Sequence, residues 1–338
     1  MISKPLPSDD LEAVVREARA SFAALAGARI FVTGGTGFFG HWLLESMLWA
    51  NRELGLDVRA TALTRDAAEF RRGSPWIAED AAITLLEGDI RSFEFPAVAH
   101  THFVHGATDS CKEQQDVPGT MAAVVVEGTK RVFACARAMG AARLLNVSTG
   151  AVYGRSTTME HTPETFPIPP LPPGSYEASK RMAETYLLSE PGPTAVVIAR
   201  PFAFVGPRLP LDAHFAIGNF IGSALRDETL RVSGDGTPRR SWMYMSDLAA
   251  WLWTLLVHGE SERAYNVGSD EDYTIAEAAL LTAAMLAPEL VVEIARTASA
   301  GAALNSYVPS VERAKGELGL RVKVPLDEAL QRTAAWYR

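Results

Sequence analysis

The glycine-rich stretch GGTGFFG at residues 34–40 constrains the fold most strongly, because of the segments that flank it. The apolar run ARIFVTG (28–34) is typical of a strand buried on both faces, and HWLLESMLWANREL (41–54) is typical of a helix. Glycines between such a strand and helix let a pyrophosphate reach the backbone N–H groups at the helix start. We therefore predict a dinucleotide-binding turn. Its predicted members are Gly34, Gly35, Gly37, Phe38, Phe39 and Gly40.

Apolar runs alternate with helical patterns over the first 201 residues. Further strands are predicted at 58–65, 83–90, 102–108, 142–149 and 194–201. Long helices are predicted at 117–139 and from about Tyr176 onward. Strands that alternate with helices form a parallel sheet with helices on both faces. The predicted fold class is therefore α/β, a doubly wound parallel sheet of the Rossmann type.

The chain is expected to carry additions to this core. Residues 1–27 are predicted to be an N-terminal helical extension, and 28–200 the dinucleotide-binding domain, to which 240–268 returns. A smaller C-terminal substrate-binding region is expected from 201–239 and 269–338, where prolines interrupt the alternation. Within the first domain, 155–174 carries six prolines and is predicted to be a loop.

The composition argues against several kinds of protein. The formal net charge of −8 argues against a broad nucleic-acid-binding face, and two cysteines are too few for a disulfide framework or a zinc site. We interpret Cys111 and Cys135 as reduced thiols in a cytoplasmic protein. The N-terminus has no basic start followed by an apolar run, so no signal peptide is expected. The most apolar window, 248–257, is too short to span a bilayer and is predicted to be a buried helix.

Histidines are the other candidates for metal binding. Those at positions 100, 102 and 105 lie on or beside one predicted strand, where alternating side chains do not converge on one ion. We therefore expect no metal site, and we expect His105 to be a packed residue at the strand end. His214 either contacts substrate from the loop-rich region or lies on the surface.

The end of the second strand bears on which dinucleotide binds. An NAD site usually has an acidic residue there for the ribose hydroxyls. This chain has Leu63, Thr64 and Arg65 in that place, and Asp66 comes one residue late. Arg65 could bind a 2′-phosphate, or it could be a solvated cation. NAD and NADP therefore both remain candidates, with a slight preference for NADP.

The sequence YEASK at 176–180 supplies a candidate acid/base. Tyr176 and Lys180 are four residues apart and share one face of a helix. A phenol has an ordinary pKa near ~10, and a neighbouring ammonium favours the phenolate. We expect Lys180 to lower the pKa of Tyr176.

Together with the glycine turn, this pair and several other motifs make the chain resemble the extended short-chain dehydrogenase/reductase family, in particular its nucleotide-sugar epimerases and dehydratases. The motifs are VTGGTGFFG (32–40), GDI (88–90), HGAT (105–108), VEGT (126–129), STGAVYG (148–154), YEASK (176–180), ARPFAFVGP (199–207), RRSWMYMSDLA (239–249) and YNVGSD (265–270). The resemblance extends from about residue 28 to residue 338.

The resemblance implies roles for individual residues. Tyr176 would be the catalytic acid/base, Lys180 would hold the nicotinamide ribose, and Thr149 would bind the substrate hydroxyl. The other cofactor-binding residues implied are Asp89, Ile90 and Ala107. The other substrate-binding residues implied are Ser148, Asn219, Arg240 and Tyr307. A guanidinium such as that of Arg240 suits a nucleotide diphosphate. The resemblance also implies a homodimer.

Some positions depart from the family pattern. Val125 and Ala203 stand where relatives usually or often carry Asn. In the family's 4,6-dehydratases the threonine is followed by Asp and Glu, and decarboxylating relatives keep a glutamate there. Here the positions are Gly150 and Ala151. Because general acid–base catalysis typically contributes about 10²–10⁴-fold, their absence argues against dehydration.

The retained residues suffice for hydride transfer and the movement of one proton. We therefore predict an NAD(P)-dependent nucleotide-sugar 4-epimerase that acts through a 4-keto intermediate. The alternatives are a 4,6-dehydratase or decarboxylase with displaced acids, in which Glu177 or Cys111 could substitute, and an NADPH-dependent ketoreductase. A non-enzymic cofactor sensor is disfavoured, since Thr149, Tyr176 and Lys180 are all present.

Overall fold

The computed structural model describes residues 4–108, 120–154, 157–213, 215–297 and 304–338. The chain forms two compact units. The first comprises Met1–Val152, Ile168–Arg200 and Ala249–Tyr265, and the second comprises Tyr153–Pro167, Pro201–Leu248 and Asn266–Arg338.

Helices and strands alternate along the chain. The strands are β1 (Arg29–Thr33), β2 (Arg59–Thr64), β3 (Ile83–Glu87), β4 (His102–His105), β5 (Arg143–Val147), β6 (Ala195–Pro201), β7 (Phe204–Val205), β8 (Leu230–Val232), β9 (Arg239–Ser241), β10 (Met243–Tyr244), β11 (Arg263–Val267), β12 (Asp272–Thr274), β13 (Val292–Ile294) and β14 (Ser306–Tyr307). The helices are α1 (Ser8–Glu17), α2 (Arg19–Ala24), α3 (Phe38–Leu54), α4 (Ala67–Gly73), α5 (Pro75–Ala78), α6 (Gly128–Ala138), α7 (Tyr176–Ser189), α8 (Ala216–Leu225), α9 (Met245–His258), α10 (Ile275–Leu286), α11 (Glu312–Leu318) and α12 (Leu326–Tyr337). A short helical turn, Thr120–Ala122, and a π-helical turn, Ala123–Glu127, precede α6.

A seven-stranded sheet with the order β11-β6-β5-β4-β1-β2-β3 forms the centre of the first unit. Strand β1 pairs in parallel with β2 and with β4. Its residues Ile30, Phe31 and Val32 are buried regardless of which face they point to. A strand covered on both faces needs a continuous run of apolar residues, and this explains the apolar run at 28–34 in the sequence. The predicted doubly wound parallel sheet is confirmed.

The N-terminal helices lie against α3. The chain predicted as one helix over 9–26 forms α1 and α2, which are separated at Ala18 (φ −101°, ψ 20°). The backbone N–H of Leu6 donates to Glu45 Oε2 of α3 at 2.8 Å. Phe22 packs against Trp253 of α9, with 5.1 Å between ring centroids, and Trp253 Nε1 donates to Ser46 Oγ at 2.9 Å. Through these contacts the N-terminal segment packs with α3 and α9 in one core.

The second unit contains smaller sheets. A three-stranded sheet has the order β12-β9-β14, and two-stranded pairs join β10 to β7 and β13 to β8. Helix α10 packs against α8 and α12, and a capping box between Thr274 and Glu277 fixes its N-terminus. Thr157 and Thr162 of the proline-rich segment pair with Ser306 and Pro309, so this part of the segment is held against β14 and the residues that follow it.

The helix predicted from the apolar window 248–257 is present as part of α9. Trp251 and Trp253 are buried in it, as expected for core residues. None of the helices within the described ranges is long and apolar enough to cross a membrane.

Candidate active site

Three central strands end at the same edge of the sheet of the first unit. Strand β1 ends at Thr33, β4 at His105 and β5 at Val147. The chain proceeds outward from β1 through β2 to β3, and in the other direction from β4 through β5 to β6. In open parallel sheets, ligands bind at the carboxyl edge where this order reverses. The glycine turn follows β1 at this edge, and Thr149 follows β5.

The glycine turn is packed too closely for side chains. Gly34 has φ +74°, and a Cβ atom there would lie 2.7 Å from the carbonyl carbon of Gly106. A Cβ atom on Gly40 would overlap the carbonyl groups of Gly34 and Gly35. Gly37 precedes the first turn of α3 and has no side chain with which to cap it.

This turn fits a dinucleotide pyrophosphate. The first N–H groups of a helix have no partners within the helix, and together with the helix dipole they favour an anion. The N-terminus of α3 is open at Gly37, which is exposed. Phe38 and Phe39 follow it, are half-buried, and have ring centroids 5.8 Å apart.

The aspartates that follow β2 and β3 are bound by other groups of the protein. Asp66 caps α4 by accepting from the backbone N–H of Glu69 at 2.7 Å. Asp89 forms two 2.8 Å bonds with the Arg91 side chain, and these hold the pKa of Asp89 at about 2. The positive charge of Arg65 also lowers the pKa of Asp89, so Arg65 lies near it. Arg65 is exposed, as a ligand for a 2′-phosphate would need to be.

Ile90 and Ala107 have defined contacts. A Cβ atom on Gly128, the first residue of α6, would lie 2.9 Å from Ile90 Cγ1, so glycine lets Ile90 pack against the helix start. The backbone N–H of Ala107 donates to Thr33 Oγ1 at 3.2 Å, which holds the segment after β4 close to Gly34.

His105 joins β1, β4 and α6. Its Nδ1 lies 2.7 Å from Thr33 Oγ1, and its Nε2 lies 2.9 Å from Thr129 Oγ1. The Thr129 hydroxyl also donates to the Val125 carbonyl at 2.7 Å. Complete burial, with a smaller effect from the charge of Lys180, lowers the pKa of His105 to about 3. His105 is therefore a neutral residue that fixes the strand end, as the sequence predicted.

The three predicted catalytic residues lie together. A side-chain hydrogen bond joins Thr149 to Tyr176. The Lys180 ammonium donates to the Val147 carbonyl at 2.9 Å, and its Nζ is 6.0 Å from the centre of the Tyr176 ring. Ser175 caps α7 by accepting from the N–H of Ala178, and this sets the helix start at Tyr176.

The expected lowering of the Tyr176 pKa was wrong for this structure. Burial raises the pKa of Tyr176 to about 12, and the hydrogen bond from Thr149 opposes this only in part. Tyr176 packs against an apolar cluster of Met121, Val125 and Ala183, which disfavours a phenolate. The ammonium that was expected to stabilise the phenolate donates to the Val147 carbonyl instead. Burial lowers the pKa of Lys180 itself to about 8.

Ser148, which was predicted to bind substrate, points into the protein. Its hydroxyl donates to Glu184 Oε1, which also accepts from Arg200. Gly150 and Ala151 follow Thr149 in a short 3₁₀ turn, and the N–H of Ala151 donates to Thr149 Oγ1 at 3.2 Å. No carboxylate is therefore available from positions 150 and 151.

The substrate residues predicted in the second unit fall into two places. Arg240 and Tyr307 are register partners in the three-stranded sheet, with the guanidinium 5.8 Å from the ring centroid. Burial lowers the pKa of Arg240. Asn219 is exposed on α8 and lines a cavity of about 660 Å³ that Arg240 and Tyr307 do not line.

The remaining candidates from the sequence are the two cysteines, His214 and a metal site. Cys111 and His214 lie outside the described residues. Burial raises the pKa of the Cys135 thiol to about 11, so it is not a reactive thiolate. Within the described ranges, no group of three or more His, Cys, Asp or Glu side chains could hold a metal ion.

Comparison with known proteins identifies the family. Residues 30–268 match the NAD dependent epimerase/dehydratase family. The chain belongs to this family. It is 29% identical to UDP-glucuronic acid decarboxylase 6 of Arabidopsis thaliana over 306 residues, which cover 89% of this chain and 86% of the relative.

Solved structures have the same fold. The dTDP-glucose 4,6-dehydratase DesIV of Streptomyces venezuelae, with NAD bound, has a TM-score of 0.76 and 26% identity, covering 91% of this chain and 96% of that one. The UDP-N-acetylglucosamine 4-epimerase of Methanobrevibacter ruminantium M1 has a TM-score of 0.79 and 19% identity, covering 92% of this chain and 98% of that one. The expected family and its nicotinamide dinucleotide are thus confirmed.

Two parts of the site were missed from the sequence. The bonds from His105 to Thr33 and Thr129 join residues far apart in the chain, and no local pattern indicates them. Glu184 had a usable signal, because it follows Tyr176 and Lys180 at the same four-residue spacing and so shares their helix face.

The glycine turn gives the first testable prediction. Gly34→Ala should lower the free energy of unfolding by about 2 kcal/mol or more and weaken NAD binding, because the new Cβ atom meets Gly106 at a positive φ. Urea unfolding and calorimetric NAD titration measure both effects. Gly73→Ala is the matched control, since a Cβ atom there meets nothing within 4 Å. Equal behaviour of the two variants would contradict the packing argument.

The buried histidine predicts a pH dependence of stability. The folded-state pKa of His105 is about 3, below its unfolded value of about 6.5, so the unfolded chain binds the extra proton between these values. This contribution to the free energy of unfolding is complete above pH 6.5 and falls as the pH falls towards 3. In urea titrations from pH 8 to 5, His105→Asn should give a flatter profile than the wild type. The exposed-residue control His258→Asn should keep the wild-type slope.

Proposed function

We propose that this protein is a nucleotide-sugar epimerase that inverts the C4 centre of a nucleoside-diphosphate sugar without net redox change. The observation that supports this proposal is which side chains the site contains and which it lacks. Thr149, Tyr176 and Lys180 lie together, and the two positions after Thr149 carry no acid. Epimerisation through a 4-keto sugar needs one proton moved and one hydride exchanged at the same carbon.

The chain's own residues move that proton. Tyr176 takes it from the C4 hydroxyl and later returns it to the C4 oxygen, and Thr149 orients that oxygen by a hydrogen bond. Lys180 would hold the cofactor ribose, and its Nζ, 6.0 Å from the centre of the Tyr176 ring, places positive charge near the phenol. The glycine turn would hold the pyrophosphate at the start of α3, Asp89 and Ile90 would bind the adenine end of the cofactor, and Ala107 would be a further cofactor contact. The nicotinamide, when bound, supplies the exchange of hydride with C4.

The raised pKa of Tyr176 suits its role as proton donor to a ketone oxygen. A phenol that is neutral at physiological pH can protonate the 4-keto oxygen directly. In the oxidative direction Tyr176 must accept the proton as the phenolate, and positive charge from Lys180 and from the oxidised cofactor, when bound, would lower the pKa of Tyr176 for that step.

A decarboxylase is the second candidate. The identity to the Arabidopsis decarboxylase over 89% of this chain favours it. A 4-keto uronic acid is a β-keto acid and can lose its C6 carboxylate without a second base. Because decarboxylating relatives keep a glutamate where this chain has Ala151, epimerisation remains the preferred proposal.

The proposed substrate contacts in the second unit are those of Arg240 and Tyr307, with Asn219 as a further candidate. A guanidinium beside a tyrosine ring matches a diphosphate joined to a nucleoside. A homodimer and a cytoplasmic location stay predictions.

A product analysis tests the reaction. The purified protein should hold a nicotinamide cofactor, detected by absorbance after denaturation. With UDP-glucose it should form the C4 epimer, detected by chromatography and mass spectrometry as an isomer of unchanged mass. UDP-glucuronic acid is tested in parallel. Loss of CO₂ from it would favour decarboxylation, and loss of water from either sugar would favour dehydration.

Tyr176 can be tested by removing only its hydroxyl. Tyr176→Phe should lower kcat by about 10²–10⁴-fold, because the group that carries the proton is lost. It should leave the affinity for NAD close to that of the wild type. Tyr186→Phe, on the same helix and half-buried, is the matched control and should keep full turnover. Unchanged turnover in Tyr176→Phe would refute the assignment.

Arg65 can be tested for cofactor choice. If its guanidinium binds a 2′-phosphate, Arg65→Ala should weaken NADP binding by about 10-fold to 100-fold and NAD binding much less. The control is Arg71→Ala, which removes an exposed charge from α4. An equal small effect on both dinucleotides would identify Arg65 as a solvated cation and favour NAD.

A further inference from the structure

Glu184 is a buried carboxylate one helical turn beyond Lys180. Its side chain is fully buried, and four hydrogen bonds converge on its two oxygens. We propose that Glu184 is a positioning residue, whose carboxylate fixes the relative placement of Thr149, Tyr176 and Lys180. The proposal rests on the proposed function in so far as these three residues carry the chemistry.

The bonds to Glu184 come from three separate elements. The Arg200 side chain at the end of β6 binds both oxygens, with Nε 3.0 Å from Oε1 and Nη2 2.7 Å from Oε2. The Ser148 hydroxyl, just after β5, donates to Oε1. Arg181 of α7 donates to Oε2 at 3.2 Å. The carboxylate thus joins α7 to the carboxyl ends of two neighbouring strands.

The hydrogen bonds to Glu184 affect the positions of the Thr149 and Tyr176 hydroxyls. Ser148 directly precedes Thr149, so the Ser148–Glu184 bond sets how β5 presents the Thr149 hydroxyl to Tyr176. Tyr176, Lys180 and Glu184 share one face of α7, because residues four apart are neighbours on a helix. The bond from Lys180 to the Val147 carbonyl adds a second link between α7 and β5.

Glu184 also affects the charge on Lys180. Burial lowers the pKa of Lys180 to about 8, and the negative charge of Glu184 opposes this. The other titratable groups near Lys180 are His105 of β4, which is neutral, and Tyr176 of α7, while Arg200 of β6 shares Glu184. Without the Glu184 carboxylate, the ammonium would lose the negative charge that opposes the lowering of its pKa.

A contribution to stability alone does not account for a buried ion pair in this position. Replacing such pairs by apolar residues is often neutral or stabilising, because removing two charges from water is costly. Charge-assisted bonds do, however, impose a defined geometry, and a bidentate guanidinium–carboxylate pair does so most strictly. Between the residue that orients the substrate and the helix that carries the acid/base, that geometry serves catalysis.

The test combines two variants of Glu184 with a control variant at the end of the same helix. Glu184→Gln keeps the shape and removes the charge, and Glu184→Asp keeps the charge and withdraws it from Ser148. Glu190→Gln is the control, because Glu190 directly follows α7 and makes an exposed pair with Arg137. Each is assayed for kcat and KM with UDP-glucose from pH 6 to 9.5, and for thermal unfolding.

The second readout does not need activity. The chain has six lysines, so the ¹³Cε resonances of labelled lysine can be titrated by NMR, with the Lys180 signal assigned from Lys180→Arg. In Glu184→Gln the Lys180 titration should move to lower pH, kcat should fall by about 100-fold at pH 8, and KM should change little. In Glu184→Asp the titration should stay near that of the wild type while kcat still falls.

Several outcomes would overturn the proposal. One is that Glu184→Gln keeps both the wild-type pH profile and the wild-type Lys180 titration. Another is that kcat falls no further in Glu184→Gln than in Glu190→Gln. If Glu184→Gln does not fold, Ser148→Ala decides the matter, since it removes one bond and leaves the ion pair intact. It should lower kcat without a matching fall in melting temperature, and unchanged kcat would refute the proposal. A wild type inactive on all nucleotide sugars would count against the proposed function, while an unshifted Lys180 titration in Glu184→Gln would still count against the proposed role of Glu184.

Discussion

The close approach of backbone to backbone at the carboxyl edge of the sheet is the constraint on which the rest of the first unit depends. Gly34 contacts the backbone at Gly106, and Gly40 packs on the carbonyl groups of Gly34 and Gly35. Only residues without a Cβ atom allow α3 to start directly against the ends of β1 and β4. The same approach leaves the start of α3 open at Gly37, so one packing requirement produces both the fold of this edge and the place where we propose that a pyrophosphate binds.

Polar side chains around this edge hold the strand ends in register with the helices. His105 joins β1 to α6 through two threonines, and the Glu184–Arg200 pair joins α7 to β5 and β6. Both groups are buried, and both are satisfied by partners from distant parts of the chain. The Tyr176 phenol packs on an apolar cluster, and its burial raises its pKa.

The sequence predicted the sheet, its helices and the glycine turn because their signals are local, in apolar periodicity and glycine spacing. It also brought Thr149, Tyr176 and Lys180 together correctly. It did not predict the ionisation of Tyr176, because the desolvation of that phenol depends on Met121, Val125 and Ala183, which come from other segments. It assigned Ser148 to substrate, because nothing local shows that Glu184 accepts its hydroxyl.

The π-helical turn at Ala123–Glu127 has a consequence for how sequences of this family are compared. Such a turn contains one residue more than an α-helical turn of the same rise. Loss of a single residue there would leave α6 in place and rotate the preceding Thr120–Ala122 turn by about 100° around the helix axis. Met121 would then leave the Tyr176 cluster. An alignment gap of one position in this turn therefore marks a change in the surroundings of the phenol, even between chains whose catalytic motifs are identical.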